Sequence, residues 1–248
     1  MNRDEAIGFL GKHGWLASLP PSFRRHIVAN SIFSTVKRGE KLYGQGERGA
    51  GMLGLASGQA MACVNTSQTD ERVVYVANPS FWGGEGTTIK PGGRKITLRA
   101  ITPSAFLRVT KPALLDHLEK HPPHWRYIAA NLLANFDRAM LVVASMATDS
   151  TEKRIAQVIL HSVTEEGVPL ADDLVLHVNQ KELGLLANVS LNTVNTVLKK
   201  LEESGCIKIG YRTIGVLDFA GLARFANPAA CLGNEGRAIS ALRRMPNW

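Results

Sequence analysis

The chain has 248 residues, enough for one large domain or two smaller ones, and its hydrophobic content of 45% is ordinary for a globular protein. Its formal net charge of +8 favours an anionic partner. No window approaches the roughly 18 uninterrupted apolar residues that a membrane helix needs, and the first residues contain no apolar run of signal-peptide type. We therefore expect a cytoplasmic protein with no membrane partner.

The cysteines and the charge distribution narrow the function further. Cys63, Cys206 and Cys231 are scattered and form no C-x-x-C pair, so the sequence predicts neither a disulfide framework nor a metal site.

The charge is unevenly distributed. Residues 1–150 hold 18 Lys and Arg against 11 Asp and Glu, whereas residues 151–248 hold 11 Lys and Arg against 10 Asp and Glu. A nucleic-acid contact in the second part must therefore use a few placed cations and not a broad basic field.

Short alternating apolar runs, separated by glycines, extend from Ile27 to about Leu107. Alternation with a period of two, and turn residues every ten or so positions, predict an all-β roll or sandwich. Glycines such as Gly39, Gly58 and Gly84 fall where the chain must reverse direction.

The pattern changes to a helical one after Pro122 and Pro123. Apolar residues then recur at alternating steps of four and three over about three heptads, which indicates either a core helix packed on the β-roll or a helix that pairs with a second copy of the chain. Proline just upstream suits a helix start. The positions of this dimer seam are Trp125, Ala129, Leu132, Phe136, Ala139, Val143 and Met146.

Two helices joined by a tight corner are predicted between Asn179 and Gly205. Asn179 with Glu182 fits an N-cap and its partner three residues on, and Asn188 suits the left-handed position of the turn. Ser190 is a good N-cap for the second helix, which Gly205 ends. The segments CIKIG and TIGVL that follow predict a β-hairpin placed like a wing.

The exposed start of the second helix is where a recognition helix contacts base edges in the major groove. Asparagine bonds bidentately to adenine, and Leu or Thr methyl groups contact the thymine methyl. The predicted base-reading residues are Leu191, Asn192, Asn195 and Thr196. A helical hairpin that only packs against the rest of the chain is the alternative.

In this order, β-roll, long helix, corner and hairpin resemble the Crp/Fnr family of bacterial transcription regulators over about residues 10 to 222. VKRGEKLYGQGE (36–47), FWGGEG (81–86) with Arg94, KRIAQVIL (153–160) and VSLNTVNTVLKKLEESGCI (189–207) carry the resemblance. It implies an α+β fold: an N-terminal β-roll of the cyclic-nucleotide-binding jelly-roll type, a long dimerisation helix and a C-terminal winged helix-turn-helix. The implied divisions are 1–122, 123–149, 150–222 and a C-terminal extension, 223–248.

The resemblance also implies an effector pocket, and the departures from the cyclic-AMP-binding pattern bear on it. Gly84, Glu85 and Arg94 match the residues that hold ribose and phosphate. Lys95 stands where a small hydroxyl residue belongs, and Ala139 and Met140 occupy the two adenine-contacting positions of the long helix. Because the last two offer no side-chain hydrogen bond, we expect that cyclic AMP is not bound in the usual mode. FWGGEG (81–86) with Arg94 resembles the phosphate-binding cassette of the family, and the alternative is that this cassette only keeps the architecture of the β-roll.

Other sensing chemistries of the family have weaker support in the sequence. An oxygen sensor would need a cysteine cluster near the N-terminus, which the chain lacks. A haem sensor would need an axial ligand, for which His117, His121 and His124 are the candidates. We therefore predict no resident cofactor and leave the identity of a small-molecule effector open.

The recognition helix departs from the family pattern as well. Leu191 and Thr196 stand where many relatives have arginine, and Asn192 replaces a glutamate. Arginine to guanine is the commonest specific contact between a protein and a base. We therefore expect the protein to depend less on guanine at these positions and to contact more A·T base pairs. Phosphate contacts set the salt dependence without choosing the sequence. The predicted phosphate-contacting residues are Lys181, Ser190, Lys199, Lys200, Lys208 and Arg212.

The sequence thus predicts a dimeric, sequence-specific DNA-binding transcription regulator, with double-stranded DNA, a second copy and RNA polymerase as partners. The alternative is a ligand-sensing module that regulates a partner protein and has weak or no DNA binding. No nucleophile elbow, P-loop or metal-ligand spacing is present, so no enzymatic activity is predicted. A short helix over Gly221–Phe225 and a second one in the extension, RAISALRRM, are expected near the end of the chain.

Overall fold

The computed structural model describes residues 1–48, 51–65, 71–165, 168–169 and 174–226. The chain forms two compact units, Met1–Val142 and Val143–Trp248, and the boundary between them lies within the long helix. The finer division at residues 122, 149 and 222 stays a prediction. RAISALRRM and Cys231 lie outside the described residues.

Three short helices precede the first strand. Pro21 occupies the first turn of the third helix, where its missing N–H costs nothing, and Phe23 and Ile27, one turn apart, are both buried. The prediction that the β-region begins at Ile27 is therefore wrong. Ile27 belongs to a helix, and the first strand begins at Ser31. The helices are α1 (Arg3–Leu10), α2 (Gly14–Ser18) and α3 (Pro21–Ala29).

Within the described residues of this region, eight strands form two four-stranded antiparallel sheets, which confirms the predicted β-roll. One sheet has the order β1-β8-β3-β6 and the other the order β2-β7-β4-β5. The strands are β1 (Ser31–Val36), β2 (Lys41–Tyr43), β3 (Met52–Ser57), β4 (Ala60–Asn65), β5 (Glu71–Ala77), β6 (Trp82–Gly83), β7 (Thr97–Ala100) and β8 (Ser104–Val109).

Alternate side chains of one strand, β3, belong to two different hydrophobic cores. Leu53 and Leu55 of β3 belong to one core with residues of the second sheet, whereas Met52 and Ala56 belong to another with the N-terminal helices. Successive side chains of a strand point to opposite faces, so β3 packs on both sides. This sheet is therefore covered by the second sheet on one face and by helices on the other.

Helices also lie between and after the strands. Gly84, with φ of 104°, is the N-cap of the short helix that follows β6. A 3-10 turn, Pro122–His124, leads into the long helix, which confirms a helix start directly after the two prolines. The helices are α4 (Glu85–Ile89), α5 (Lys111–Lys120) and α6 (Trp125–Met146).

By length and composition alone, Pro122–Met146 is also apolar enough to cross a membrane. However, Asn131 is buried and donates hydrogen bonds to the β-roll, and the charged Asp137 is exposed on the same helix. These hydrogen bonds join the helix to the β-roll of its own chain. Length and composition alone are therefore weak evidence that the helix spans a membrane.

The second unit contains the predicted corner and hairpin. A three-stranded antiparallel sheet has the order β11-β13-β12, and the last helix packs against the first one of the unit. The helix expected over Gly221–Phe225 is present and is longer than predicted. The elements are α7 (Thr151–Val163), β9 (Thr164–Glu165), β10 (Val168–Pro169), β11 (Val175–Leu176), α8 (Gln180–Ala187), α9 (Leu191–Glu203), β12 (Ile207–Gly210), β13 (Thr213–Val216) and α10 (Phe219–Ala226).

Candidate nucleic-acid interface and effector site

The corner between α8 and α9 is defined by its caps. The Glu182 amide donates to Asn179 Oδ1 at 2.9 Å, and the Asn179 amide donates to Glu182 Oε2 at 2.7 Å, which is a capping box. Asn188 adopts the left-handed conformation with φ of 51°, and Ser190 Oγ accepts from the Thr193 amide at 3.2 Å. The helix-turn-helix expected from these residues is thus present.

The recognition helix α9 buries one stripe and exposes the opposite one. Val194, Val197, Leu198 and Leu201 are buried. On the other side, Asn192 and Thr196 are exposed, and Leu191 retains 48% of its accessible surface. A large apolar side chain at the start of such a helix, left open to solvent, is available to a thymine methyl group.

Asn195 differs from the other three predicted base-reading residues. Its side chain is half-buried, and its Oδ1 atom is buried without a hydrogen-bond partner in the described part of the chain. By helical periodicity Asn195 lies at the border of the buried stripe, close to Leu198, so its side chain is less exposed than we expected for the base-reading face. A bidentate contact with adenine requires this side chain to rotate.

The predicted phosphate-contacting residues fall into two groups. Lys181, Lys199 and Lys208 are exposed, and Ser190 is exposed at the start of α9. Lys200 is engaged within the chain, because its Nζ lies 2.7 Å from Glu152 Oε2. Its ammonium group is therefore less available to a phosphate than that of Lys199.

The wing is a tight hairpin. Gly210 pairs with Thr213 in the antiparallel register of β12 and β13, which leaves Tyr211 and Arg212 as the two turn residues. Arg212 adopts φ of 56°, and its Nη2 lies 3.8 Å from Glu182 Oε1. Tyr211 is almost fully exposed. The wing tip thus lies beside the first turn of α8, where Lys181 is also located.

The candidate effector residues Gly84 and Glu85 lie at the start of α4, where Glu85 is only 6% exposed. Its carboxylate accepts hydrogen bonds from two side chains of α6: Oε1 from Asn135 Nδ2 at 3.0 Å and Oε2 from Asn131 Nδ2 at 3.3 Å. The sequence reasoning missed both asparagines. Their spacing of four on a largely apolar helix was the available signal.

Arg94 is buried, at 4% exposure, and contacts two other parts of the β-roll. Its Nη2 donates to the Gly51 carbonyl at 3.0 Å, and its guanidinium carbon lies 3.9 Å from the centre of the Tyr43 ring. Burial lowers the pKa of Arg94 and raises that of the fully buried Tyr43. Arg94 is thus held as a structural cation–π and hydrogen-bonding group.

The remaining effector candidates have other surroundings. Lys95 and Met140 are exposed, and Ala139 is half-buried. The polar contacts to the cassette come from earlier turns of α6, at Asn131 and Asn135. A surface cleft of about 450 Å³ is lined by Arg48, Thr87, Pro91, Gly92 and Lys111, a set that includes none of the six effector candidates.

The predicted dimer seam is exposed along most of α6. Ala129 and Leu132 are exposed, and Phe136 and Val143 retain 56% and 58% of their surface. A contiguous apolar stripe of this kind is a candidate protein–protein interface. Trp125, Ala139 and Met146 are half-buried, and Trp125 packs against the core beneath the N-terminal helices.

The three histidines considered as haem ligands lie in an aromatic cluster. The His117 ring stacks on Phe23 with centroids 4.3 Å apart, and His117 Nε2 lies 2.8 Å from His124 Nδ1. The His121 ring is 4.6 Å from that of His117. Burial, followed by the nearby histidines, lowers the pKa of His117 to about 4. The residues that the structure describes include no group of three or more His, Cys, Asp or Glu arranged to hold a metal ion.

Comparison with known families identifies two domains. A cyclic nucleotide-binding domain model matches residues 33–121, and a Crp-like helix-turn-helix domain model matches residues 153–225. These matches cover the β-roll with α5, and the second unit from α7 to α10. The order of the two domains is the one expected from the sequence.

Individual relatives agree with this order. The cyclic AMP receptor protein of Thermus thermophilus is 24% identical over 189 residues, which are 76% of this chain and 85% of that protein. FixK2 of Bradyrhizobium japonicum superposes with a TM-score of 0.68 at 17% identity, over 79% of this chain and 96% of that one. The c-di-GMP responsive global regulator CLP of Xanthomonas campestris superposes with a TM-score of 0.63 at 18% identity, over 79% of this chain and 99% of that one. The two superpositions show a shared fold.

Proposed function

The chain belongs to the Crp/Fnr family of transcription regulators, and we propose that it works as a homodimer on a pseudo-palindromic DNA site, under a signal at the β-roll other than cyclic AMP bound in the usual mode. The observation that carries this proposal is the exposed start of the Ser190-capped helix α9, with Leu191, Asn192 and Thr196 directed away from its buried stripe.

Each exposed residue of α9 has a role that fits its chemistry. Asn192 donates and accepts at an adenine edge, and the methyl groups of Leu191 and Thr196 contact thymine. The Thr196 hydroxyl donates to the Asn192 carbonyl at 3.1 Å, so its hydrogen is already used and its methyl group is the part left for readout. Asn195 joins them after its side chain rotates.

Cations around these residues hold the phosphates. Lys199 follows the base-reading residues on α9, Lys181 lies in the first turn of α8, and Lys208 and Arg212 belong to the wing. Together with the Ser190 hydroxyl they set the register of the protein on the duplex. Lys200 contributes less because its ammonium group is paired with Glu152.

Two copies of the chain pair through the apolar stripe of α6. Burying Leu132, Phe136 and Val143 against a second copy removes apolar surface from water. The pairing places two α9 helices in successive major grooves, about 34 Å apart along the duplex. We also propose that the regulator works in the cytoplasm and contacts RNA polymerase, as expected for a bacterial transcription regulator.

Binding selection on random duplexes, followed by footprinting, tests this function. We expect an A·T-rich inverted repeat with half-sites one helical turn apart, and relaxed selection at one position of each half-site in Asn192→Ala. Glu203→Ala is the matched control, because Glu203 is exposed at the far end of the same helix. Absence of protection on any genomic fragment at low salt would overturn the proposal.

A ligand-sensing module without DNA binding is not favoured, because the helix-turn-helix match extends over residues 153–225 and both of its helices are capped. The family is one of transcription regulators, and we propose no catalytic activity for this chain.

A further inference from the structure

The acidic residue of the cassette is bonded to the long helix of its own chain. Asn131 and Asn135 lie four residues apart and therefore on the same face of α6. Each amide nitrogen donates to the Glu85 carboxylate, at 3.3 and 3.0 Å, and also to the Trp82 carbonyl, at 3.2 and 2.9 Å. Each amide thus uses both of its N–H groups on the cassette.

The network extends along the helix to a third side chain. Arg138 Nη1 donates to Asn135 Oδ1 at 2.7 Å, and the Arg138 guanidinium carbon lies 5.7 Å from the centre of the Phe81 ring. This bond orients the Asn135 amide, because it fixes which end of the side chain faces Glu85. Three residues of α6 thereby form one connected polar junction with the segment Phe81–Glu85.

The basic residue of the cassette is enclosed in a similar way. Arg94 lies against the Tyr43 ring and bonds to the Gly51 carbonyl. The backbone also approaches it closely, since a Cβ added to Gly84 would lie 2.4 Å from Arg94 Nη1. The guanidinium is therefore packed between an aromatic ring and the start of α4.

A cyclic nucleotide bound in the usual mode would use these same groups, with a ribose hydroxyl on Glu85 and the phosphate on Arg94. Such a ligand must compete with Asn131 and Asn135 for the Glu85 carboxylate, and it must separate Arg94 from its contacts with Tyr43 and Gly51. The free energy that the ligand gains at Glu85 and Arg94 is offset by the free energy of the internal contacts that it displaces. The residues present thus do not fit a cyclic nucleotide in that mode.

We propose that Asn131 and Asn135 occupy the positions on Glu85 that a ribose hydroxyl would take, so that α6 is fixed to the β-roll without nucleotide and the protein binds DNA without one. The proposal rests on the proposed DNA-binding function. It identifies the two asparagines as positioning residues that replace a bound nucleotide by internal hydrogen bonds.

The first test uses the unmodified full-length chain with cyclic AMP, cyclic GMP and c-di-GMP. We expect no shift of the unfolding midpoint, no heat of binding in calorimetry, and a DNA dissociation constant that changes by less than about twofold at about 1 mM nucleotide. DNA binding that appears only with one of these nucleotides would overturn the inference and leave the proposed function intact. Absence of DNA binding under every condition would instead overturn the proposed function.

The second test removes the junction. In the double variant Asn131→Ala/Asn135→Ala, we expect the amides of α6 to exchange hydrogen faster and the DNA dissociation constant to rise at least about tenfold. Asp137→Ala, an exposed change on the same helix, is the control and should alter neither. Glu85→Gln keeps an acceptor oxygen for one asparagine and should give an intermediate effect. Unchanged exchange in all of these variants would contradict the inference.

Discussion

A Cβ atom added to Gly184 of α8 would lie 3.0 Å from the carbonyl oxygen of Val189, in the turn that follows the helix. It would also lie 3.4 Å from Val194 Cγ2 of α9, and the Val189 amide donates to the Gly184 carbonyl at 2.9 Å. The absence of a side chain at this position therefore lets the turn close over α8 and brings α9 into contact with it.

Gly184→Val should unfold the corner. The added atoms meet backbone, which cannot move as a flexible side chain does, so we expect a loss of roughly 1–3 kcal/mol in the free energy of unfolding. Specific DNA binding should be lost with it. Urea denaturation measures the first effect and a mobility shift the second. Gly8→Val is the control, because a Cβ at this helical glycine meets nothing within 4 Å. Equal midpoints for the two variants would contradict this account.

The corner was predictable from sequence because its signals are local. A capping box at Asn179, a left-handed Asn188 and the N-cap Ser190 each act over three or four residues, and a short window reveals them. The β-roll was predictable as a class, because alternation and turn residues identify strands. The order of the strands within the two sheets was not predictable in this way, since it depends on contacts between distant segments.

The effector region shows where local reasoning stops. Glu85 and Asn135 are separated by 50 residues, and the spacing of asparagines on α6 does not indicate which group they bind. The heptad pattern likewise included Trp125, although this residue packs against the core of the first unit. Apolar periodicity predicts that one face of a helix is buried. It does not tell whether that face packs against the same chain or against another one.

Lys199 and Lys200 should differ in their contribution to DNA binding, although they are neighbours. Lys199 is exposed, whereas Lys200 forms an ion pair with Glu152. We expect Lys199→Ala to weaken binding to all sequences and to reduce the slope of log affinity against log salt by about 1. Lys200→Ala should change the slope by less. Equal slopes for the two variants, measured by fluorescence anisotropy between low and moderate salt, would show that the ion pair opens on DNA.

Phe136→Glu should convert the protein to single chains. Phe136 is exposed at the middle of the apolar stripe of α6, and a charge there opposes burial against a second copy. DNA affinity should then fall, because each copy binds its half-site alone. Ala130→Glu is the control: this residue is exposed, and by helical periodicity it lies on the other side of α6. Sedimentation that gives a dimer for both variants would contradict the assigned seam.

The histidine cluster near the start of α6 should make stability depend on pH. Burial, with His26, His121 and His124 nearby, lowers the pKa of His117 to about 4, while the unfolded chain titrates near 6.5. Between these values the unfolded state binds a proton that the folded state does not. The free energy of unfolding therefore decreases as the pH falls from 6.5 towards 4, and the neutral ring contributes fully above pH 6.5.

His117→Phe should flatten this dependence. Phenylalanine does not titrate and still stacks on Phe23, whose ring lies parallel to that of His117. We expect the unmodified protein to lose on the order of 3 kcal/mol between pH 7 and pH 4 through this group, and the variant to lose less. His13→Phe, which replaces a histidine at the start of α2, is the control. If urea titrations at several pH values give the same slope for all three proteins, protonation of His117 does not determine acid stability.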